Sequence, residues 1–152
     1  INTFDETTNG KIAETTWKVG GFSIDGQPAQ TVYQNEINSS PSVNNKIGLM
    51  YASDYGFAAS PSAWTKTLYD YSWDDANGTS IKTINWMYMG GYDWTISLDS
   101  DYSYNALIVT NDGYVNRNHV STYSGVRPSF NLLSSITYVS GSGSANDPIV
   151  IN

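Results

Sequence analysis

The sequence predicts an α+β domain in which twisted antiparallel sheets, with one or two short helices, are joined by long polar loops. Short runs of β-branched and aromatic residues recur between turn residues such as Gly, Asn and Asp, which is typical of strands. Aromatic residues make up 14% of the chain and charged residues only 14%, against about 25% charged in an average domain. A length of 152 residues suits one domain, which we place at 1–152.

The first half of the chain contains two predicted strands and two predicted helices. The strands are Thr15–Val19 and the apolar run Lys46–Tyr51, and residues 23–45 between them predict a long surface excursion rich in Asn, Gln and Ser. Ser53 and Asp54 can cap a short helix that extends to Ala59. Ser60 and Pro61 suit the start of a second helix, because Trp64, Leu68 and Tyr71 follow at helical spacing.

The second half predicts strands only. We expect a hairpin in which Ala106–Thr110 pairs with the strand that begins at Tyr114, because Asn111-Asp-Gly113 is a strong turn signal. The other predicted strands are 81–89, 92–97, 126–133, 136–139 and 147–151, and the last of these is expected to join the sheet.

Two segments predict the core of the domain. Residues 85–97 carry two Trp, two Tyr and two Met around a Gly pair, and residues 125–132 turn from Pro128 into an apolar strand. We therefore expect Trp17, Trp86 and Trp94 to be core residues. Arg127 is predicted to have a structural role, bonded to loop carbonyl groups or paired with Asp93 or Asp99.

Composition argues against several classes of function. The net charge is −7 and the chain has seven Lys and Arg residues in all, which disfavours binding to nucleic acid or to an anionic membrane surface. The absence of Cys removes thiol chemistry and disulfides. Abundant Asn, Ser, Thr, Tyr and Gly favours an extracellular bacterial protein. No apolar run is long enough for a membrane span or a signal peptide, and a start at Ile1 indicates a processed or trimmed chain.

Catalytic patterns are weak, and we expect no enzyme. His119 is the one His and is predicted to be an ordinary surface residue, so a Ser/His/Asp arrangement is not supported. A hydrolase would need two carboxyl groups converging on a cleft. Glu is scarce and confined to the early polar region. Calcium could bind the oxygen-rich loops that hold six Asp residues, which are Asp70, Asp74, Asp75, Asp99, Asp101 and Asp112. Solvated turns explain these residues better. We therefore predict no resident cofactor or metal.

The best candidate for a binding site is a loop rich in Tyr and Asp. Exposed Tyr rings are frequent anchors of sugar and protein recognition, because a flat ring stacks and its hydroxyl group hydrogen-bonds. Tyr102, Tyr104 and Tyr123 lie in polar contexts, with Asp99 and Asp101 beside the first two. These five residues are the predicted ligand-binding set.

Several motifs together resemble a known family. Gly48–Ala59, Tyr92-Asp-Trp-Thr-Ile-Ser97 and Gly125-Val-Arg-Pro128 resemble the C-type-lectin-like fold in its branch related to formylglycine-generating enzymes. The resemblance covers residues 46 to 133. The chain is also similar to the head domains of type IV pilin-like surface proteins of Firmicutes, through Thr16–Gly21, Lys46–Ala58 and Asn146-Asp-Pro148.

The resemblance implies a non-enzymatic head domain of a type IV pilin or pilin-like filament subunit, displayed on the bacterial cell surface. Its partners would be other copies of the chain and a host or surface protein or glycan. The alternative is an adhesin or phage receptor-binding module that takes a glycan or protein ligand. The sequence departs from the family in lacking catalytic thiols, the loop motifs of calcium-dependent lectins and a hydrophobic assembly helix.

Overall fold

The computed structural model describes residues 6–72 and 80–152 and has an α+β architecture. The predicted turn at Asp74–Gly78, with Asp74 and Asp75, lies outside the described residues. The described helices are α1 (Glu6–Gly10), α2 (Ala29–Ile37), α3 (Ala52–Phe57) and α4 (Ile81–Ile84), with two 3₁₀ turns at Pro61–Ala63 and Leu68–Ser72. The described strands are β1 (Thr15–Lys18), β2 (Gly21–Phe22), β3 (Ser42–Asn45), β4 (Gly48–Leu49), β5 (Asp93–Asp99), β6 (Asn105–Val109), β7 (Val115–His119), β8 (Pro128–Ser129), β9 (Tyr138–Ser140) and β10 (Val150–Ile151).

The main sheet has four strands in the order β2-β5-β6-β7. The β6–β7 hairpin confirms the clearest sequence prediction, with Val109 opposite Val115 and Asn105 opposite His119. The expectation of antiparallel pairing throughout is wrong at one edge, because β2 runs parallel to β5. Residues 23–92 separate these two strands, and a crossover connection of that length permits a parallel pair.

Smaller two-stranded sheets flank the main one. β1 pairs with β3, and β4 pairs with β8 so that Gly48 lies opposite Ser129. Trp94 donates its backbone N–H to the carbonyl oxygen of Gly125 at 2.9 Å. The segments 46–51, 92–97 and 125–132 therefore adjoin in space. The prediction that residues 125–132 belong to the core is wrong, because Val126, Phe130 and Leu132 are exposed.

The hydrophobic core lies between one face of the main sheet and the helices. Its largest fully buried side chains include Tyr55 and Tyr71, and burial raises the pKa of both phenols. The Tyr55 hydroxyl donates to the Gly113 carbonyl at 2.8 Å, and the Tyr71 hydroxyl lies 3.1 Å from the carbonyl oxygens of Gly56 and Ala63. Each buried phenol thus has a backbone partner, as buried polar groups require.

The Trp residues divide differently from the prediction. Trp17 is buried as expected, and Trp94 is only partly buried on the face of β5 opposite the main core. The prediction for Trp86 is wrong, since 79% of the residue is exposed. Asn85 is buried instead and bonds to Tyr55 O and Met87 N, which turns the following Trp86 outward.

The helix predicted from Ser60 to Tyr71 is replaced by two 3₁₀ turns. Thr67 forms a β-bridge with Pro28, and the Leu68 N–H donates to the carbonyl oxygen of Gln27 at 2.9 Å. These bonds to a distant segment replace helical ones, because each N–H group has only one proton to donate. By contrast, the short helix predicted after Tyr51 is confirmed as α3.

Three further predictions are wrong. Residues 23–45 are not one surface excursion but contain α2 and β3. The predicted strand 81–89 begins as α4, and the terminal strand β10 pairs with β9 rather than with the main sheet. No helix within residues 6–72 and 80–152 has the length and apolar character that crossing a bilayer requires.

Candidate functional site

The predicted Tyr and Asp loop lies at one end of the main sheet. Asp99 is the last residue of β5, and the turn that carries Asp101 and Tyr102 leads into β6. The β6–β7 register places His119 opposite Asn105, directly after Tyr104. The ends of three strands therefore bring four of the five predicted residues into one neighbourhood.

Arg117, on β7, is at the centre of the charged part of this neighbourhood. Its Nη2 lies 2.5 Å from Asp25 Oδ1, its Nη1 lies 3.4 Å from Asp101 Oδ2, and its Nε lies 3.6 Å from Asp99 Oδ2. Burial opposes the guanidinium charge, but the hydrogen bond with Asp25 and the surrounding carboxylates outweigh it and raise the Arg117 pKa. One cation thus holds three carboxylates together.

The aromatic part of the site is a row of three rings. The Tyr102 and Tyr104 centroids are 5.9 Å apart, and the Tyr104 and His119 centroids are 5.2 Å apart with their planes tilted by 30°. The Arg117 guanidinium lies 5.6 Å from the centroid of Tyr102, within cation–π range. We call Tyr102, Tyr104, His119 and Arg117 the aromatic patch. Both Tyr residues remain about half exposed, at 46% and 51%.

The predicted site residues do not all have equal access to a ligand. Asp99 is buried, and its Oδ2 faces Arg117 as an ion pair with no hydrogen bond among the described residues. Asp101 accepts a hydrogen bond from Ser23 Oγ at 2.7 Å and stays exposed. Tyr123 is 100% exposed in the loop after β7, and the described residues show no ring contact between it and the patch.

His119 is exposed, as predicted, but it is not isolated from other groups. Its Nδ1 lies 2.7 Å from Ser121 Oγ, and its ring extends the row that begins at Tyr102. Its position at the end of β7 makes it part of the aromatic patch.

Sequence reasoning missed Arg117, its partner Asp25, and Ser23, which donates a hydrogen bond to Asp101. Arg117 could have been noticed as a cation within a predicted strand next to the turn at Asn111-Asp-Gly113. Nothing in the sequence signals Asp25, which is 92 positions away from Arg117.

The described residues, 6–72 and 80–152, contain no group of three His, Cys, Asp or Glu side chains arranged to hold a metal ion. Asp25, Asp99 and Asp101 do converge, but they converge on the Arg117 guanidinium. This cation already occupies the position between the carboxylates.

A second polar cluster is buried inside the domain around Glu36 of α2. Its Oε1 accepts hydrogen bonds from Ser53 N at 3.3 Å and Ser97 Oγ at 2.6 Å, and its Oε2 is bonded to Ser53 Oγ. Desolvation raises the Glu36 pKa to about 7, against the opposing effect of the Ser hydrogen bonds. The cluster joins α2, the start of α3 and strand β5.

Glu36 and Asp54 line the same cleft, which is the arrangement that the hydrolase alternative requires. However, Glu36 is only 3% exposed and its two oxygens are both bonded to Ser side chains. Asp54 accepts a hydrogen bond from Tyr51 N at 2.9 Å and thereby caps α3. Burial raises the Asp54 pKa, although the Tyr51 N–H opposes that shift. Both carboxyl groups thus serve the junction between α2 and α3.

Comparisons of this chain with protein-family models, with curated proteins and with solved structures found no match.

Proposed function

We propose that this chain is a non-enzymatic domain of the bacterial cell surface that binds a carbohydrate through its aromatic patch. The observation that carries the proposal is the half-exposed row of Tyr102, Tyr104 and His119 beside Arg117. Sugar rings present apolar C–H faces that stack on aromatic rings, and polar groups around the stack fix their orientation.

The charges around the patch favour a neutral glycan. Arg117 carries one positive charge, and the three carboxylates that it contacts carry three negative charges. An anionic sugar would be repelled by this excess, in addition to the overall charge of −7. Asp101 and the guanidinium N–H groups can instead exchange hydrogen bonds with sugar hydroxyls.

A C-type-lectin-like fold is part of the proposal. Its support is the α+β architecture together with the way in which residues 125–129 close onto β4 and β5. Gly125 lies so close to Asp93 that a side chain there would place its Cβ 2.6 Å from Asp93 Oδ1. The closing segment therefore depends on a residue without a side chain.

The test is binding to an array of neutral and acidic glycans, followed by titration of the best ligand against variants. Tyr104→Ala should weaken binding at least about tenfold, equivalent to about 1.4 kcal/mol. The matched control is Tyr69→Ala, because Tyr69 is 48% exposed and its ring also packs against another Tyr, Tyr114. Tyr123→Ala tests whether the fifth predicted residue contributes.

Several results would contradict the proposal. These results are the absence of binding to any glycan on the array, an equal loss of affinity in the Tyr69→Ala control, and a preference for acidic glycans. Cleavage of a bound glycan would overturn its non-enzymatic part. A ligand that proves to be a protein would favour the alternative of a protein-binding adhesin or phage receptor-binding module.

The second candidate function is that of a subunit in a type IV pilin-like filament. The observation that favours it is the exposure of large apolar side chains along the C-terminal segment: Phe130, Leu132, Leu133, Tyr138, Val139, Ile149 and Val150. Exposed large apolar side chains of this kind can form contacts with other molecules. Sedimentation over a range of concentrations would test it, since a chain that stays monomeric at high concentration would oppose assembly through this segment.

A further inference from the structure

A small cleft lies where β1, α2 and the start of α3 meet, and the aromatic patch shares none of its residues. Its volume is about 240 Å³. Most ligand pockets exceed about 300 Å³, so this cleft suits only a small molecule. The lining residues are Thr16, Lys18, Tyr33, Glu36, Ile37, Tyr51, Ser53 and Asp54.

Apolar groups form the wall of the cleft. Tyr33 and Ile37 come from α2 and are partly exposed, at 42% and 41%. Two contacts hold the Tyr51 ring in place. Its centroid lies 6.1 Å from that of the Trp17 ring, and its hydroxyl accepts a hydrogen bond from Lys18 N at 2.6 Å. Tyr33 is held in turn by an edge contact with Phe57 at 6.3 Å.

Two opposite charges line the same cleft without neutralising each other. Lys18 forms no ion pair within residues 6–72 and 80–152, and neither does Asp54. One Asp54 oxygen accepts the Tyr51 N–H, which fixes the position of the carboxylate. The cleft therefore presents a cation and an anion, separated from each other, beside an apolar wall.

Glu36 forms the floor but offers little to a ligand. Its oxygens are already bonded to Ser53 and Ser97, and it is almost fully buried. The groups left to recognise a ligand are the Lys18 ammonium, the Asp54 carboxylate and the apolar wall.

We propose that this cleft binds a free α-amino acid with an apolar side chain. The ligand carboxylate would pair with Lys18, its ammonium group with Asp54, and its side chain would pack against Tyr33, Ile37 and Tyr51. A zwitterion matches two separated charges of opposite sign, whereas a ligand with a single charge leaves one of them unpaired. The site is independent of the glycan-binding proposal.

The experiment is calorimetric titration of the intact chain with L-leucine, L-valine, L-methionine and L-phenylalanine. At least one of them should bind with a Kd of about 1 mM or tighter, given two charge contacts and a partly apolar site. The amide and the N-acetyl derivative of the best ligand each remove one charge. Each should bind at least about tenfold more weakly.

Two variants locate the site. Lys18→Met should abolish the preference for the amino acid over its amide, and Asp54→Asn should abolish the preference over its N-acetyl derivative, because each variant removes the protein group that reads that charge. Asn can still accept the Tyr51 N–H through its amide oxygen. The controls are Lys66→Met and Asp70→Asn, which change charges outside the lining of the cleft.

Circular dichroism of each variant establishes that it is folded before binding is compared. The proposal is overturned if no amino acid of the panel binds the wild-type chain. It is equally overturned if the derivatives bind as well as the parent ligand, or if the Lys18 and Asp54 variants behave like their controls.

Discussion

Glu36 joins three elements that are far apart in sequence. Its carboxyl group accepts hydrogen bonds from Ser53 of α3 and Ser97 of β5. Ser97 Oγ also accepts a hydrogen bond from the Ala52 N–H at 3.2 Å. The first amide groups of α3 thus obtain partners that the helix cannot supply itself. Burying a carboxyl group destabilises the folded state unless the group is hydrogen-bonded or protonated. Both oxygens of Glu36 accept hydrogen bonds.

We predict that Glu36→Gln removes a pH dependence of stability. The Glu36 pKa is raised from 4.5 to about 7 in the folded chain, so its contribution to stability is fully present below about pH 4.5 and is lost as pH rises through about 7. The difference amounts to roughly 3 kcal/mol in the free energy of unfolding. Urea unfolding of both proteins at about pH 5 and about pH 8 measures it, since the other groups titrate in both.

Wild type should lose more stability than the Gln variant between the two pH values. Equal losses would show that Glu36 does not titrate in this range. The other charged or titratable groups that line the cleft with Glu36 are present in both proteins and therefore cancel in the comparison: Lys18, Tyr33, Tyr51 and Asp54.

Arg117 has the corresponding role two residues further along β5, where it pairs with Asp99. We predict that Arg117→Met lowers the free energy of unfolding by about 3 kcal/mol, because it leaves the buried Asp99 carboxylate without its partner. Lys82→Met is the matched control, since the Lys82–Asp112 pair is 3.2 Å long but exposed on both sides. That control should change stability by less than about 1 kcal/mol.

Thermal unfolding of both variants against wild type provides the measurement. If both variants lose a similar small amount of stability, another group stabilises the Asp99 carboxylate and Arg117 does not organise the site.

At the scale of elements, β5 shows how a strand can bury its polar residues. Asp93, Thr95, Ser97 and Asp99 face the interior, while Trp94, Ile96 and Leu98 lie on the other side. Each polar residue has a described partner: Asp93 pairs with Arg127 at 3.2 Å, Thr95 Oγ1 donates to Leu107 O at 2.9 Å, Ser97 bonds Glu36, and Asp99 pairs with Arg117. A shift of one residue would bury the Trp side and expose all of these groups.

The contacts of Arg127 confirm the structural role that the sequence predicts for it. It pairs with Asp93 and its Nη1 donates to the Met87 carbonyl oxygen at 2.8 Å. Both kinds of partner, a loop carbonyl group and one of the two suggested Asp residues, were expected from its place before Pro128.

The packing of α3 makes a prediction at the same scale. Gly56 lies inside this helix, where Ala would normally be favoured by about 0.5–1 kcal/mol. A Cβ atom at Gly56 would lie 2.7 Å from Ala29 Cβ and 2.8 Å from Leu68 Cδ2. We therefore predict that Gly56→Ala destabilises the fold by about 1–3 kcal/mol, through overpacking between α2 and α3.

Gly10→Ala is the control, because Gly10 ends a helix and has no atom within 4 Å of its Cβ position. Chemical denaturation should show this variant equal to wild type or slightly more stable. A stabilised Gly56→Ala variant would contradict the packing of α3 against α2.

At the scale of the whole molecule, the C-terminal β9–β10 sheet stands apart from the main sheet. Among the described strands its two members pair only with each other. A two-stranded sheet is marginally stable in water by itself. Gly141 has φ +100°, and a side chain there would overlap the Pro148 carbonyl oxygen, so this hairpin requires Gly.

We predict that Gly141→Ala opens this hairpin without unfolding the core. Hydrogen exchange followed by mass spectrometry should show faster exchange in peptides from residues 138–151 and unchanged protection in β6 and β7, because β9 and β10 share no strand pairing with the main sheet. Loss of protection in β6 and β7 as well would show that the hairpin and the main sheet form one cooperative unit.

The sequence by itself determined the α+β class, the β6–β7 hairpin, α3 and the strand at 92–97, because turn chemistry and short-range periodicity fix these locally. It also indicated four of the residues that the structure brings together, since Asp99, Asp101, Tyr102 and Tyr104 are neighbours along the chain. Only the tertiary structure decided which face of β5 is buried, that Trp86 points outward and that residues 60–71 form no continuous helix. Those outcomes depend on bonds made by Gln27, Glu36, Asn85, Arg117 and Arg127 to residues that lie far away in the chain and leave no local pattern.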